Sequence, residues 1–261
     1  MSKRKAVLLG AGWLGKAFAE SLAKKEFDVY AGTRKIQHEQ VENQCTYFPL
    51  HFDKTWDFGL SPSIIQQADW LILMLPPTHF ENYADALFNA VSQFPSSTKV
   101  LFTSSTSVYA DVDGIVDENG ILLQEHVVTQ AEILLRKEIS SRLTIVRLAG
   151  LIGPHRHPAK YLLQKGIIVN GNAPVNLIRR EDVVQACLQI IQSDVTDKIF
   201  NICSPQHPTR ADYYGNAARY LFGEELPADG IGSGKTVDGS RIEREIHFNY
   251  QFKIVEWDVF R

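Results

Sequence analysis

Short apolar runs alternate along the chain with stretches of helical periodicity. Residues 5–10 (KAVLLG), 28–33 (DVYAGT), 70–75 (WLILML), 99–104 (KVLFTS), 143–150 (LTIVRLAG) and 198–203 (KIFNIC) are apolar throughout rather than alternating. Strands covered on both faces read this way. Between them, residues 14–25, 80–93, 127–140 and 181–193 carry helical spacing. Strand and helix in alternation imply right-handed βαβ units, hence an α/β, Rossmann-like, doubly wound parallel sheet. After Cys203 the alternation stops, and residues 230–240 (GIGSGKTVDGS) form a long loop rich in glycine and serine. The expected organisation is a core over residues 1–203, with 155–175 contributing to a small C-terminal substrate lobe built from 204–261.

Composition narrows the classes. The chain has 261 residues, of which 44% are apolar and 22% charged, enough for a substantial core and unlike a disordered chain. Its net charge is −3 and its one basic block is the opening SKRK, which argues against nucleic acid or an anionic membrane as partner. Cys45, Cys187 and Cys203 stand far apart with no CxxC pair, so neither a metal site nor a disulfide is expected. The N-terminal run has the outline of a signal peptide, but glycines interrupt it and the amphipathic KAFAESLAKK follows. No segment approaches the roughly 20 apolar residues of a membrane span. A soluble protein of the reducing cytoplasm is the expectation.

The first candidate chemistry is LLGAGWLGKAF, in which Gly10, Gly12 and Gly15 form G-x-G-x-x-G between a strand and a helix. The first glycine permits the tight turn, the second lets backbone approach a pyrophosphate, and the third lets helix and strand pack closely. The helix N-terminus then offers N–H groups to the anion. Dinucleotide binding is expected, with Trp13 and Leu14 inside the loop. The second strand ends in Thr33, Arg34 and Lys35 where an NAD enzyme usually has a carboxylate. Arg34 could grip a 2′-phosphate bidentately, which favours NADP, with NAD as the alternative. Leu75, Pro76 and Pro77 end the next core strand and are expected to shape the cofactor crevice; His79 follows in a loop.

These motifs, with SSTSVY (104–109) after one core strand and RLAGLIGP (147–154) after another, resemble the extended short-chain dehydrogenase/reductase superfamily. That family typically shows S-S-x-x-V-Y-G and R-x-x-N-x-Y-G-P at these places. GWLG, RLAGLIGP.RHP, VNLI..EDV, NIC.P.HP and DGSRI further resemble an atypical bacterial subgroup described as NAD(P)-dependent epimerase/dehydratase-like. The resemblance spans almost the whole chain. It implies that Ser105, four residues before Tyr109, is the catalytic hydroxyl, donating to a substrate carbonyl oxygen. It also implies that Thr103 and Ser104 contact the cofactor, and that the protein forms a homodimer.

Departures from the family are as informative. Its Tyr-x-x-x-Lys pair belongs on the helix that begins near QEHVVTQAEILLRKE, where Gln124 and Val128 stand instead. Tyr161 and Lys165 match the spacing, but on a later segment. GPHRHPAKY gathers His155, Arg156, His157, Lys160 and Tyr161. There, His157 could serve as acid or base and Arg156 could hold an anion; a basic loop facing solvent is the other reading. Asn176 and Arg241 are the candidate substrate contacts. Asp182 fits helix capping as well as function. The expected function is an NAD(P)-binding oxidoreductase, or an epimerase/dehydratase-like protein, acting on a small-molecule carbonyl, alcohol or sugar-nucleotide. The alternative is a non-catalytic NADP(H)-binding redox sensor or regulatory module.

Overall fold

A computed structural model describes residues 3–52 and 56–260 of the chain. Its strands are β1 (Arg4–Leu9), β2 (Phe27–Thr33), β3 (Gln40–Glu42), β4 (Cys45–Pro49), β5 (His51–Phe52), β6 (Trp56–Asp57), β7 (Trp70–Leu73), β8 (Lys99–Ser105), β9 (Gly114–Val116), β10 (Leu143–Leu148), β11 (Gly150–Ile152), β12 (Leu177–Arg179), β13 (Lys198–Ile202) and β14 (Lys235–Val237). The helices are α1 (Trp13–Ala23), α2 (Pro62–Gln66), α3 (Tyr83–Ser92), α4 (Val127–Ile139), α5 (Ala159–Lys165), α6 (Arg180–Gln192), α7 (Arg210–Phe222) and α8 (Arg241–Ile246). The six predicted strands are β1, β2, β7, β8, β10 and β13; the four predicted helices are α1, α3, α4 and α6.

The central sheet has eight strands in the order β13-β10-β8-β7-β1-β2-β4-β3. Its pairings are mostly parallel, and β1 sits inside it: Val7 lies opposite Tyr30 of β2 on one side and Leu71 of β7 on the other. From β1 the chain runs outward through β2 to β4. It then returns to β7 and builds through β8 and β10 to β13 on the opposite side. The reversal falls between β1 and β7, where an open α/β sheet binds its ligands. Ala6–Leu9 and Trp70–Leu73 are fully buried, which explains their unbroken apolar sequence.

Contacts divide the chain into two units. The first comprises residues up to 104, 123–146 and 187–199. It contains β1, β2, β4 and β7 and the helices α1, α3 and α4. Phe18, Ala19 and Leu22 of α1 and Ala131 and Leu135 of α4 are buried apolar faces at helical spacing. The second unit comprises 105–122, 147–186 and the residues from 200 onward. Its apolar core includes Leu162, Leu177, Tyr213, Ala218 and Ile254. Two small parallel pairs stiffen it: β11 with β12, and β9 with β14. Within it α7 begins at Thr209, whose side chain accepts the Asp212 N–H at 3.1 Å, and ends at a left-handed Gly223. Among the described residues no helix is long and apolar enough to cross a membrane.

Candidate functional site

In the first unit the glycine loop is built as a backbone cradle. Gly10 adopts φ +108°, and a Cβ there would lie 2.4 Å from the Met74 carbonyl oxygen at the end of β7. The tips of β1 and β7 therefore approach each other as closely as backbone permits, and only glycine fits. A Cβ on Gly15 would lie 2.2 Å from the Gly10 carbonyl oxygen, so α1 can fold back on β1 only through a residue with no side chain. Gly12 differs, because a Cβ there would meet nothing within 4 Å. Its hydrogen leaves open space at the N-cap of α1, which has no side-chain cap and no acidic residue in its first turn. The positive end of a helix and open space above Gly12 suit an anion such as a pyrophosphate. The loop is tied to β2 by the Gly10 and Ala11 N–H groups, which donate to the Gly32 carbonyl at 3.2 and 2.8 Å.

Neighbouring strand ends complete this surface. Thr33 closes β2, and its hydroxyl accepts the Lys35 N–H at 3.3 Å; Arg34 and Lys35 are exposed. Beyond β7, the buried Tyr83 hydroxyl donates to the Leu75 carbonyl at 2.7 Å and pins the approach to Pro76 and Pro77. His79 ends a short turn, Pro77–His79. Thr103 of β8 donates to the Leu73 carbonyl at 3.1 Å. Ser104, buried, donates to Oε1 of Glu132, which is 1% exposed on α4. Glu132 escaped the sequence analysis, although a lone acid on a helix face shared with Val128, Ala131 and Leu135 is a visible signal. Of the two residues expected at the pair's positions, Val128 is buried on α4, whereas Gln124 precedes the helix, which starts at Val127.

In the second unit, Ser105 ends β8 and caps the turn Thr106–Val108. Its Oγ accepts the Ser107 N–H at 3.1 Å and the Ser107 hydroxyl at 2.9 Å. A hydroxyl has two lone pairs and one proton. With both lone pairs engaged, Ser105 has its proton left to give, and two incoming donors polarise that O–H. Tyr109 is fully buried and takes no part in such chemistry. Its hydroxyl donates to Asn201 Oδ1 at 2.7 Å and accepts from Arg147 at 2.8 Å, with the guanidinium stacked on its ring. Asn201 in turn takes Glu118 Oε1 on its N–H at 2.7 Å. Burial pushes the Glu118 carboxyl above its usual range.

Of the remaining candidates, Asn176 and Asp182 hydrogen-bond backbone groups and Arg241 pairs with a carboxylate. Asn176 donates to the Lys235 carbonyl and accepts the Val237 N–H, both at 2.8 Å, clamping β14. The amide has a second N–H and a second lone pair beyond this clamp. Arg241 pairs with Glu245 one turn along α8 at 2.7 Å. Asp182 accepts the Gln251 and Phe252 N–H groups and so ties down the C-terminal segment, rather than only capping its helix.

His157 lies among Tyr213, Trp257 and Phe260. Its Nδ1 accepts the Ala159 N–H at 3.2 Å, so Nε2 carries the ring proton and donates to the Tyr213 hydroxyl at 3.0 Å. Burial lowers its pKa to about 4, which leaves a neutral imidazole with both nitrogens engaged. Beside it opens a cavity of about 550 Å³, lined by Gly150, Leu151, His155, Arg156, Lys160, Tyr161 and Leu177 among others. Tyr161 and Lys165 stand one turn apart on α5, the ammonium 4.8 Å from the ring centre.

No family model matches the chain. Protein YeeZ of Escherichia coli K12 is 31% identical over 272 residues, an alignment covering 95% of this chain and 96% of YeeZ. YeeZ of the O157:H7 strain aligns equally well. Among solved structures, MoeE5 in complex with UDP-glucose and NAD has a TM-score of 0.75 at 17% identity, covering 96% of this chain and 94% of its own. UDP-glucuronic acid 4-epimerase from Bacillus cereus, in complex with NAD, has a TM-score of 0.73 at 14% identity, covering 95% and 94%. A functionally unknown conserved protein from Silicibacter pomeroyi has the same TM-score at 20% identity, again covering 95% and 94%.

Proposed function

This chain belongs to the family of the Escherichia coli protein YeeZ and has the fold of the extended short-chain dehydrogenase/reductases, and on that premise we propose that it binds NADP(H) and acts on a small carbonyl or alcohol. The supporting observation is the cradle at the β1–β7 reversal, where Gly10 and Gly15 admit no side chain and Gly12 faces open space. Gly12, Trp13 and Leu14 would hold the pyrophosphate with backbone, and Leu75–Pro77 would wall the slot. Arg34, beside Thr33 and Lys35 and with no carboxylate at that strand end, would take the 2′-phosphate. The cofactor would accept or give a hydride, or hold it transiently during an epimerisation or dehydration. Ser105 supplies a polarised O–H donor for the substrate oxygen. A sugar-nucleotide is one substrate class consistent with the solved structures of this fold, two of which carry UDP-sugars or NAD in their names. A cytoplasmic homodimer belongs to the same reading.

Side-by-side titration with NADPH and NADH, followed through Trp13 fluorescence, tests this. NADPH should bind the more tightly, and Arg34→Ala should weaken NADPH by tenfold to about a hundredfold while leaving NADH unchanged. Equal affinities for the two would remove NADP preference; failure of both to bind would remove the cofactor slot. One observation favours a second reading, a non-catalytic NADP(H)-responsive module: α4, where the family's pair would stand, contains no tyrosine. Such a module requires different affinities for NADP⁺ and NADPH, since a ligand shifts states only through differential binding. An enzyme requires turnover that Ser105→Ala depresses.

A further inference from the structure

We propose that the β3–β4 hairpin is a brace for phosphate recognition. Clipped to α1 through Lys16 and Glu42, it holds the far footing of residues 34–39 and so sets the preference for NADPH over NADH. Lys16 and Glu42 are then positioning residues, acting through Arg34, which takes the 2′-phosphate in the reading above on which this rests. Residues 34–39 join β2 to β3, yet these strands are not neighbours, because β4 lies between them. β2 and β4 run parallel, with Thr33 opposite Pro49, and β3 runs back against β4 from Gln40, opposite Tyr47. The segment therefore crosses the carboxyl end of β4, at the end of the sheet where a nucleotide would lie.

Two strand spacings, about 10 Å, separate the footings of this segment, whereas a stretch of its length can reach about 20 Å. With that slack, the position of the loop depends on how firmly both ends are held. The near end is secured: the Leu50 N–H donates to the Thr33 carbonyl at 3.0 Å, and the Thr33 hydroxyl accepts the Lys35 N–H at 3.3 Å. The far end lacks burial. Every residue of β3 is exposed, and β3 is an edge strand of the sheet. A short exposed edge with few apolar contacts opens readily unless something outside the ladder holds it.

That support comes from α1. The Lys16 ammonium donates to both carboxylate oxygens of Glu42, at 3.1 and 3.0 Å, and lies 5.7 Å from the centre of the Tyr47 ring on β4. One turn along the helix, Glu20 accepts the Asn43 side-chain N–H at 3.0 Å. Lys16 and Glu20 thus grip consecutive residues of the hairpin. Its turn is built to present them: Asn43 and Gln44 adopt φ +49° and +65°, and Glu42 stands opposite Cys45. A slip of one residue would carry Glu42 to the other face. Lys16 directly follows Gly15, so the helix whose start lies beside the open space at Gly12 is also the anchor of the hairpin. A loop fixed in advance lowers the ordering cost of binding.

The test compares NADPH and NADH affinities of the full chain, by Trp13 fluorescence, in Lys16→Met, Glu42→Gln, the double variant and Lys16→Arg. Lys16→Met and Glu42→Gln should each lower the NADPH:NADH affinity ratio about threefold, as loss of an exposed ion pair can, with NADH unchanged. The double variant should do no worse than either single one, and Lys16→Arg should keep the parent ratio. Glu42→Gln discriminates most sharply. By charge alone, loss of an acid should tighten a phosphate-bearing ligand, whereas loss of the brace weakens it. Amide hydrogen exchange of residues 34–39 in the nucleotide-free chain should quicken in both single variants. An unchanged ratio, equal weakening of both nucleotides, or tighter NADPH in Glu42→Gln would overturn the proposal. If the parent chain shows no preference for NADPH, the cofactor reading falls by itself; quickened exchange then still shows that the hairpin braces the loop, and unchanged exchange removes the brace as well.

Discussion

The glycine loop after β1 and the polar residues around Asn176 and Tyr109 solve opposite problems. In the loop, backbone must come close to backbone, and side chains are removed to let it. In the second unit, backbone groups must be satisfied, and side chains are recruited to do it: Asn176 for β14, Asp182 for residues 251 and 252, Asn201 for the Asp238 carbonyl. Removal of side chains leaves an unambiguous trace, since few other reasons place three glycines at that spacing before a helix. Recruitment leaves an ambiguous one. An asparagine clamping a strand and an asparagine facing a sugar are the same letter.

The comparison is broken most easily at the loop. Gly15→Ala forces a methyl group onto the Gly10 carbonyl and should cost about 3 kcal/mol of stability together with NADPH binding. Gly12→Ala, with open space around it, should leave urea unfolding unchanged and weaken only the nucleotide. If both variants unfold alike, the loop is a packing device.

His157 sharpens the other side. Its folded pKa of about 4 lies below the ordinary 6.5, so between these values the unfolded chain takes up a proton that the folded one refuses. Stability from this group is complete above pH 6.5 and falls as pH drops toward 4, by about 2–3 kcal/mol. Denaturant midpoints across that range should decline less in His157→Phe than in the parent chain. Parallel declines would mean that His157 does not carry the acid sensitivity. The smallest effect is expected from Asn176→Ala, about 1–2 kcal/mol of stability with unchanged binding of NADPH. A loss of ligand affinity without a loss of stability would make Asn176 a ligand contact rather than a strand clamp.

The central sheet was legible because its strands are buried on both faces and their apolar runs have no competing explanation. β4 was not: Cys45–Pro49 is short, ends in proline, and reads as loop until its Phe48 is seen against Gly32, where a Cβ would lie 2.8 Å from the ring. α7 could have been found. Thr209 with Asp212 three residues on, then apolar positions at Tyr213, Tyr214, Ala217 and Ala218, is a helix start followed by one buried face. The pairing of β9 with β14 joins residues 114–116 to 235–237, and no local pattern announces a partner so distant in sequence. At the site, the loop and Ser105 were visible as motifs. The Ser107 donors that fill Ser105, and the neutral state of His157, depend on three-dimensional neighbours and were not.

The chain's division between its two units has a consequence for how the molecule is made. Each unit is assembled from three separate stretches, with boundaries inside β8, β10 and β13. No single proteolytic cut frees either one, and neither can be transplanted as a cassette. On the ribosome, the last stretch of the first unit, residues 187–199, is synthesised before residues 200–261, so the part bearing the glycine loop has all its sequence while the second unit still lacks α7 and β14. Synthesis proceeding at a few residues per second gives the unit bearing the glycine loop a head start of seconds.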